Sequence, residues 1–256
     1  MTIDVARFKE QGYLCPLPVY GPAEIEPLRQ LYWRLRKLLP PGVSTQEMDW
    51  WHGEDRELWA IACEPRILDL VEPILGPDFY IWGSQFFSKD PGDAKTTPWH
   101  QDAFFWPLAP HNSVTVWVAF EDSDAANGAM KVIPGTHRAQ HITHEDTESD
   151  SDVLPSRATG GDFSFDDAVH LELKAGQVSL HDDNILHGSD ANDSDRLRCG
   201  LTLRYSSTEV KADLSVWPFF KAFQVRGADR YRHNPAGSPP SDLMRAYRQV
   251  TAGEEM

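Results

Sequence analysis

The chain is short of cysteine, of basic residues and of long apolar runs, and each shortage closes off a class of function. Its three cysteines, Cys15, Cys63 and Cys199, are odd in number and show no Cys-x-x-Cys spacing, which argues against a disulfide framework or a zinc ribbon. Lysine and arginine total 24 against 39 acidic residues, a formal charge of -15, so no nucleic-acid or anionic-membrane partner is expected. No apolar run approaches the length that spans a bilayer. The start, Met1-Thr2-Ile3-Asp4-Val5, lacks the basic and apolar regions of a secretion signal, and a cytoplasmic location is expected.

What remains is ordinary for a soluble globular protein: 256 residues, 41% hydrophobic and 25% charged, enough for one well-buried core. A single domain, 1–256, is expected, with a helical part over 1–78, a β core over 79–206 and an extension over 207–256. Asp4 and Gly12 bracket a short helix, and the Pro16, Pro18 and Gly21 cluster interrupts the chain after it. Ile25, Leu28, Leu31, Tyr32 and Leu35 at helical spacing predict a helix over 22–39, stopped by Pro40-Pro41. A further helical region, 54–75, breaks near Pro65.

From Phe79 the pattern changes to strands, over 79–88, 113–120, 129–133, 168–173, 177–181 and 197–206. Helices followed by many short strands predict an α+β, mainly β chain whose core is a sandwich or barrel. Alternation puts Val114, Val116, Val118 and Phe120 on one face of their strand and Thr115, Trp117 and Ala119 on the other. The last strand divides likewise: Arg198, Gly200, Thr202 and Arg204 face a polar cavity, and Cys199, Leu201, Leu203 and Tyr205 an apolar layer. Residues 140–167 are long, polar and acidic, with Glu145, Asp146, Glu148 and Asp150 among them, and read as a lid loop. A short helix over 241–250 is expected to end the chain.

The stretch that carries chemistry is Trp99-His100-Gln101-Asp102. In an extended strand His100 and Asp102 point the same way, which suits one metal ion. A third ligand would complete two imidazoles and a carboxylate on one face of an octahedron. His181 and His187 both lie in the right neighbourhood, and Arg198, eleven residues after His187, favours the latter. The turn-rich run 188–196 reads as a hairpin loop that returns Arg198 alongside His187, where its charge can hold the far carboxylate of a chelating acid. A buried Arg198 needs such an anion. His137, His141 and His144 have helical spacing, but Pro134-Gly135 favours a turn and a solvated loop; His111 and His170 carry no motif.

Taken together, Trp99-His100-Gln101-Asp102, Val132-Ile133-Pro134-Gly135-Thr136-His137, His187-Gly188-Ser189 and Arg198, in this order, resemble the phytanoyl-CoA dioxygenase (PhyH)-like family of iron(II) and 2-oxoglutarate-dependent oxygenases. The resemblance runs over 79–205. It implies a double-stranded β-helix, the jelly-roll of the cupins, with N-terminal helices packed on one sheet. It implies iron(II) on His100, Asp102 and His187, O2 as oxidant, and 2-oxoglutarate with its distal carboxylate on Arg198. Ser189 and Trp117, and more weakly Gln85, match positions that touch this co-substrate in similar proteins. The family's further lysine contact has no obvious match. Related halogenases lack the carboxylate ligand, whereas Asp102 is present, so hydroxylation of a small molecule with release of succinate and CO2 is implied; desaturation or cyclisation uses the same ligands.

The substrate is less legible. Phe104 and Trp106 follow the motif and are candidate pocket walls with Phe105, Arg204 is a candidate contact for an anionic group, and Trp50 and Trp51 are candidates to close the pocket. Two other classes compete: a cupin-like metal-binding protein without oxygenase activity, which needs no buried Arg198, and a zinc hydrolase, which would want a His-Glu-x-x-His helix that the chain lacks.

Overall fold

Asp4 accepts a hydrogen bond from the Arg7 amide at 2.9 Å and so caps α1 (Val5–Gln11), which Gly12 closes in the left-handed conformation at φ +81°. The computed structural model describes residues 3–139, 142–147, 149 and 151–247. Helix α2 (Pro22–Arg36) has Pro22 in its first turn and buries Ile25, Leu28, Leu31, Tyr32 and Leu35. It stops three residues earlier than its periodicity predicts, because the turn before Pro40-Pro41 tightens, with Leu38 N bonded to Leu35 O at 2.9 Å. The 54–75 region splits as expected into α3 (Arg56–Ala62) and α4 (Pro65–Leu75). A single turn, α5 (Asp102–Phe105), follows the metal motif. No helix among the described residues is long and apolar enough to cross a membrane.

The strands in chain order are β1 (Tyr13–Pro18), β2 (Phe79–Lys89), β3 (Thr97–His100), β4 (Leu108–Ala109), β5 (Ser113–Ala119), β6 (Met130–Val132) and β7 (Ile142–Asp146). They continue as β8 (Ser156–Gly161), β9 (Val169–His170), β10 (Gln177–Asp182), β11 (His187–Ser189), β12 (Arg198–Ser207), β13 (Lys211–Ala212) and β14 (Phe223–Arg226). The larger sheet has the order β1-β10-β5-β12-β2-β14 and the smaller β3-β11-β6-β9, with β13-β4 and β7-β8 as separate pairs. Neighbouring strands in both sheets are antiparallel. This is the jelly-roll that the resemblance implied, with its helices against one face of the larger sheet.

That face is a continuous apolar layer. Val114, Val116, Val118, Leu201, Leu203 and Tyr205 join Leu28, Leu31, Ile61 and Leu70 from the helices in one buried cluster. The opposite face of β5 and β12 looks across to the smaller sheet over a cavity of about 300 Å³. Alternation along two strands thus divides the molecule into a core side and a site side.

Four expectations are corrected. Residues 13–18 form an edge strand rather than an interruption: Tyr13, Leu14 and Leu17 pair with β10 and the register shifts between Leu14 and Leu17, so Pro16 sits where a missing N–H does least harm. The 188–196 run is not a hairpin loop, because β11 and β12 belong to different sheets. Asn192 fixes this crossing, donating to the carbonyls of Lys89, Asp90 and Arg196 at 3.1, 3.0 and 2.7 Å. The 140–167 segment holds the β7–β8 hairpin rather than an unstructured loop; His141, Glu148 and Asp150 lie outside the described residues. The expected helix over 241–250 is irregular over 241–247, and 248–250 lie outside the described residues. Its main chain is drawn into tertiary bonds instead, Asp242 O accepting from Arg56 N and Met244 N donating to Asp55.

Asp55 is the joint between this tail and the helices. Its fully buried carboxylate caps α3 through Glu57 N and Leu58 N at 3.0 and 3.1 Å and meets Arg34 at 2.8 Å. Asp55→Ala leaves those donors unmatched and is expected to cost about 3 kcal/mol, read from urea unfolding, whereas Asp55→Asn keeps a capping oxygen and loses less. Equal losses for the two variants would contradict the capping role.

Candidate metal centre and its cavity

β3 ends at His100 and Asp102 begins α5, so the two do not share one strand as expected. Gln101 between them is nevertheless extended, φ -110° and ψ 130°, and both side chains still emerge on the same side. His187 is the Cα partner of His100 across β3 and β11, and the ring centroids lie 4.0 Å apart. His100 Nε2 and His187 Nε2 stand 3.7 and 3.9 Å from Asp102 Oδ1. Nδ1 of each imidazole is tied to a carbonyl two residues back, Pro98 O at 2.8 Å and Ile185 O at 3.0 Å. As donors to those carbonyls the rings keep their Nε2 lone pairs for a metal. The three ligand atoms lie within 4.8 Å of one another, and all three residues are buried.

The charge state fits. Burial pushes the Asp102 carboxyl up, but the imidazoles of His100, His181 and His187 and the charge of Arg204 outweigh it and hold the group well below its ordinary range. Burial, reinforced by His100, keeps His187 neutral, the form that ligates. Oδ1 faces both ligating nitrogens, while Oδ2 takes a bond from Thr115 Oγ1 at 3.3 Å and lies 3.7 Å from His181 Nε2. His181, the rival third ligand, is thus on the far oxygen of the carboxylate, buried and without a hydrogen-bond partner at either ring nitrogen.

Arg198 lies at one end of the same cavity, 3% exposed. Its Nη1 donates to Gly128 O at 2.6 Å and its Nη2 to Phe87 O at 3.4 Å, its Nε has no partner, and no carboxylate among the described residues forms an ion pair with it. Burial lowers its pKa to about 10, which leaves it charged at neutral pH. Trp117 places its ring 5.5 Å from the guanidinium. That ring lies against Gly200, where any Cβ would come within 1.9 Å of it, so only glycine admits the indole. Ser189 also lines the cavity, bonded to Thr97 at 3.1 Å. Lys89, the Cα partner of Arg198, turns to the carbonyls of Lys95, Ser189 and Asp190 and so braces the crossing.

At the other end Arg204 lies 5.8 and 5.5 Å from the rings of Trp82 and Trp106. Its Nη2 donates to Gln85 Oε1 at 2.8 Å, and its Nη1 is 3.7 Å from Asp49 Oδ1. The Gln85 amide is taken up by Arg204 and by Gln46 O, which puts it at this end. Burial pushes the Asp49 carboxyl up to about 7 in spite of Arg204. Trp106 lines the cavity as expected, but Phe104 does not: 54% exposed, it stacks on His144 at 4.0 Å, and Phe105 takes the place foreseen for it. Trp50 also lines the cavity, whereas Trp51 is in the helical core. His137 and His144 bond to backbone carbonyls in separate elements. Sequence reasoning missed Asp49, Trp82, Thr115 as a partner of Asp102, and Trp217. Thr115 was findable, since it shares the inward face with Trp117; Asp49 lies in a loop, where no period marks it.

The family model described as phytanoyl-CoA dioxygenase (PhyH) matches residues 8–200. The peroxisomal phytanoyl-CoA dioxygenase of Rattus norvegicus is 26% identical over 230 residues, 80% of this chain and 68% of the relative. That of Bos taurus is 30% identical over 158 residues, 60% of this chain and 47% of the relative, so the chain spans about half of that enzyme's length. Among solved structures, the apo form of the non-haem monooxygenase ThoJ superposes with a TM-score of 0.77 at 26% identity, covering 94% of this chain and 90% of that one. With the matched region containing both histidines, Asp102 and Arg198, the chain belongs to the phytanoyl-CoA dioxygenase family of iron(II) and 2-oxoglutarate-dependent oxygenases.

Proposed function

We propose that the protein hydroxylates a small molecule, using iron(II) on His100, Asp102 and His187, with 2-oxoglutarate held by Arg198. The observation that carries this reading is Arg198 itself: a buried guanidinium with an unfilled Nε and no acid partner among the described residues, in the cavity that holds the His-Asp-His group. A structural metal site of the cupin kind gives no reason to bury such a charge. A dicarboxylate that chelates through its keto acid end supplies the missing anion.

Bound together, iron(II), 2-oxoglutarate and O2 supply an oxidant that replaces C–H by C–OH, with one atom of O2 going to the product and the other to succinate as CO2 leaves. The chain's share is position and exclusion of water. The Pro98 and Ile185 carbonyls orient the imidazoles, and Thr115 holds Oδ2 of Asp102 so that Oδ1 is presented to the metal. Asp102 takes the position that a halide would otherwise need. Trp117 and Ser189 wall the co-substrate arm. Val153 and Leu154, between β7 and β8, line the cavity, which supports a lid role for the hairpin. The chain acts as one domain.

Arg198→Ala is expected to weaken 2-oxoglutarate about 10- to 100-fold while iron affinity changes little, read from the visible charge-transfer band in an anaerobic titration. Parallel loss of both would remove the role given to Arg198. His181→Ala should retain the full metal stoichiometry of the wild type and His187→Ala should not, as measured by metal analysis after dialysis. The reverse result would exchange their assignments.

A further inference from the structure

Arg204 and Asp49 are an ion pair that has not closed. Their nearest atoms are 3.7 Å apart, beyond hydrogen-bonding distance, whereas Arg34–Asp55, Arg196–Asp124 and Arg226–Asp69 meet at 2.8, 2.8 and 2.9 Å. Asp49 Oδ1 and Arg204 Nε are buried and have no hydrogen-bond partner, and both residues line the cavity. The gap is held from both sides. Arg204 is pinned by Gln85 and flanked by the indoles of Trp82 and Trp106. Asp49 is fixed by a bridge to Gln85, and the next residue, Trp50, has a left-handed backbone at φ +65°, a costly conformation for a bulky side chain.

We propose that this end of the cavity binds the substrate as a zwitterion, an amino-acid-like molecule whose carboxylate meets Arg204, whose ammonium meets Asp49, and whose hydrocarbon part lies against Trp50, Trp106 and Trp217. The inference rests on the oxygenase reading for the oxidation itself, but the charge pattern is independent of it. A simple anion on Arg204 would stand beside the Asp49 carboxyl, and a simple cation would face the Arg204 guanidinium. A neutral ligand would leave the Asp49 oxygen without an ionic partner. A zwitterion gives each of the two groups its counter-charge and brings no net charge into the cavity.

Size agrees. Thr115, whose hydroxyl touches Asp102, is the Cα partner of Arg204, so the anchoring charge stands one strand away from the metal group. A cavity of about 300 Å³ that also holds the co-substrate leaves room for a small body only.

The test uses the whole protein loaded anaerobically with iron(II) and 2-oxoglutarate until the visible band is complete. The protein amino acids are then titrated in, each beside its N-acetyl derivative, which lacks the cationic amine, and its methyl ester, which lacks the carboxylate. A shift of the band or a change in tryptophan emission reports binding. At least one free amino acid is expected to bind, with its N-acetyl and ester forms about 10- to 100-fold weaker. Asp49→Asn should weaken the free amino acid by a similar factor and its N-acetyl form far less, with the band unchanged. Equal affinity for the three forms overturns the inference, as does failure of every free amino acid to bind a protein whose band is full. If the band never forms, the oxygenase reading fails, and the zwitterion site then stands or falls on the tryptophan emission with the same three forms of each amino acid.

Discussion

The site depends on one strand being apolar on one face and charged on the other. Leu201, Leu203 and Tyr205 of β12 are locked into the helical core, so Arg198, Thr202 and Arg204 have no orientation left but the cavity. Removing a guanidinium from water costs several kcal/mol, and fully burying a leucine returns roughly 1.5–3 kcal/mol. The apolar face can therefore hold the charged face in place, provided that each cation finds oxygen atoms. Arg198 finds two backbone carbonyls, and Arg204 a glutamine and an unclosed carboxylate.

The metal group is built across the sandwich rather than within a local motif. His100 and His187 are set by ladder pairing in the smaller sheet, so their separation follows from main-chain hydrogen bonds. Asp102 leaves that sheet in a helical turn and is steadied by Thr115 of the larger one. Three ligand atoms thus report the spacing between two sheets, and the helices that position the larger sheet act on the metal geometry from the opposite side.

Much of this was legible because period-two alternation is local: it put Val114, Val116, Val118, Leu201, Leu203 and Tyr205 on the core side and Thr115, Trp117, Arg198, Thr202 and Arg204 on the cavity side, where they lie. The relation between β11 and β12 was not legible. A run rich in Asp, Asn, Ser and Gly says that the chain turns, but the same composition serves a hairpin or a crossing between sheets, and only Asn192 clamped on the end of β2 decides it. Phe104 failed for a related reason. Once α5 begins at Asp102, successive side chains rotate by about 100° rather than 180°, and Phe105, not Phe104, turns inward. The β7–β8 hairpin was read as a loop because its strands are polar and carry no apolar alternation.

Two buried arginines on one face of β12, six residues and about 20 Å apart, invite confusion between two acidic ligands. Their surroundings differ in the respect that sorts ligands. Among the described residues Arg198 meets only neutral carbonyls, which suits the dianion of the proposed function; Arg204 already faces the Asp49 carboxyl, which disfavours a second dianion there. Trp117, seated on Gly200, stands between the two ends of the strand. On the proposed function one strand would serve both reactants of the oxidation, because compensation of charge, rather than shape alone, distinguishes its two ends.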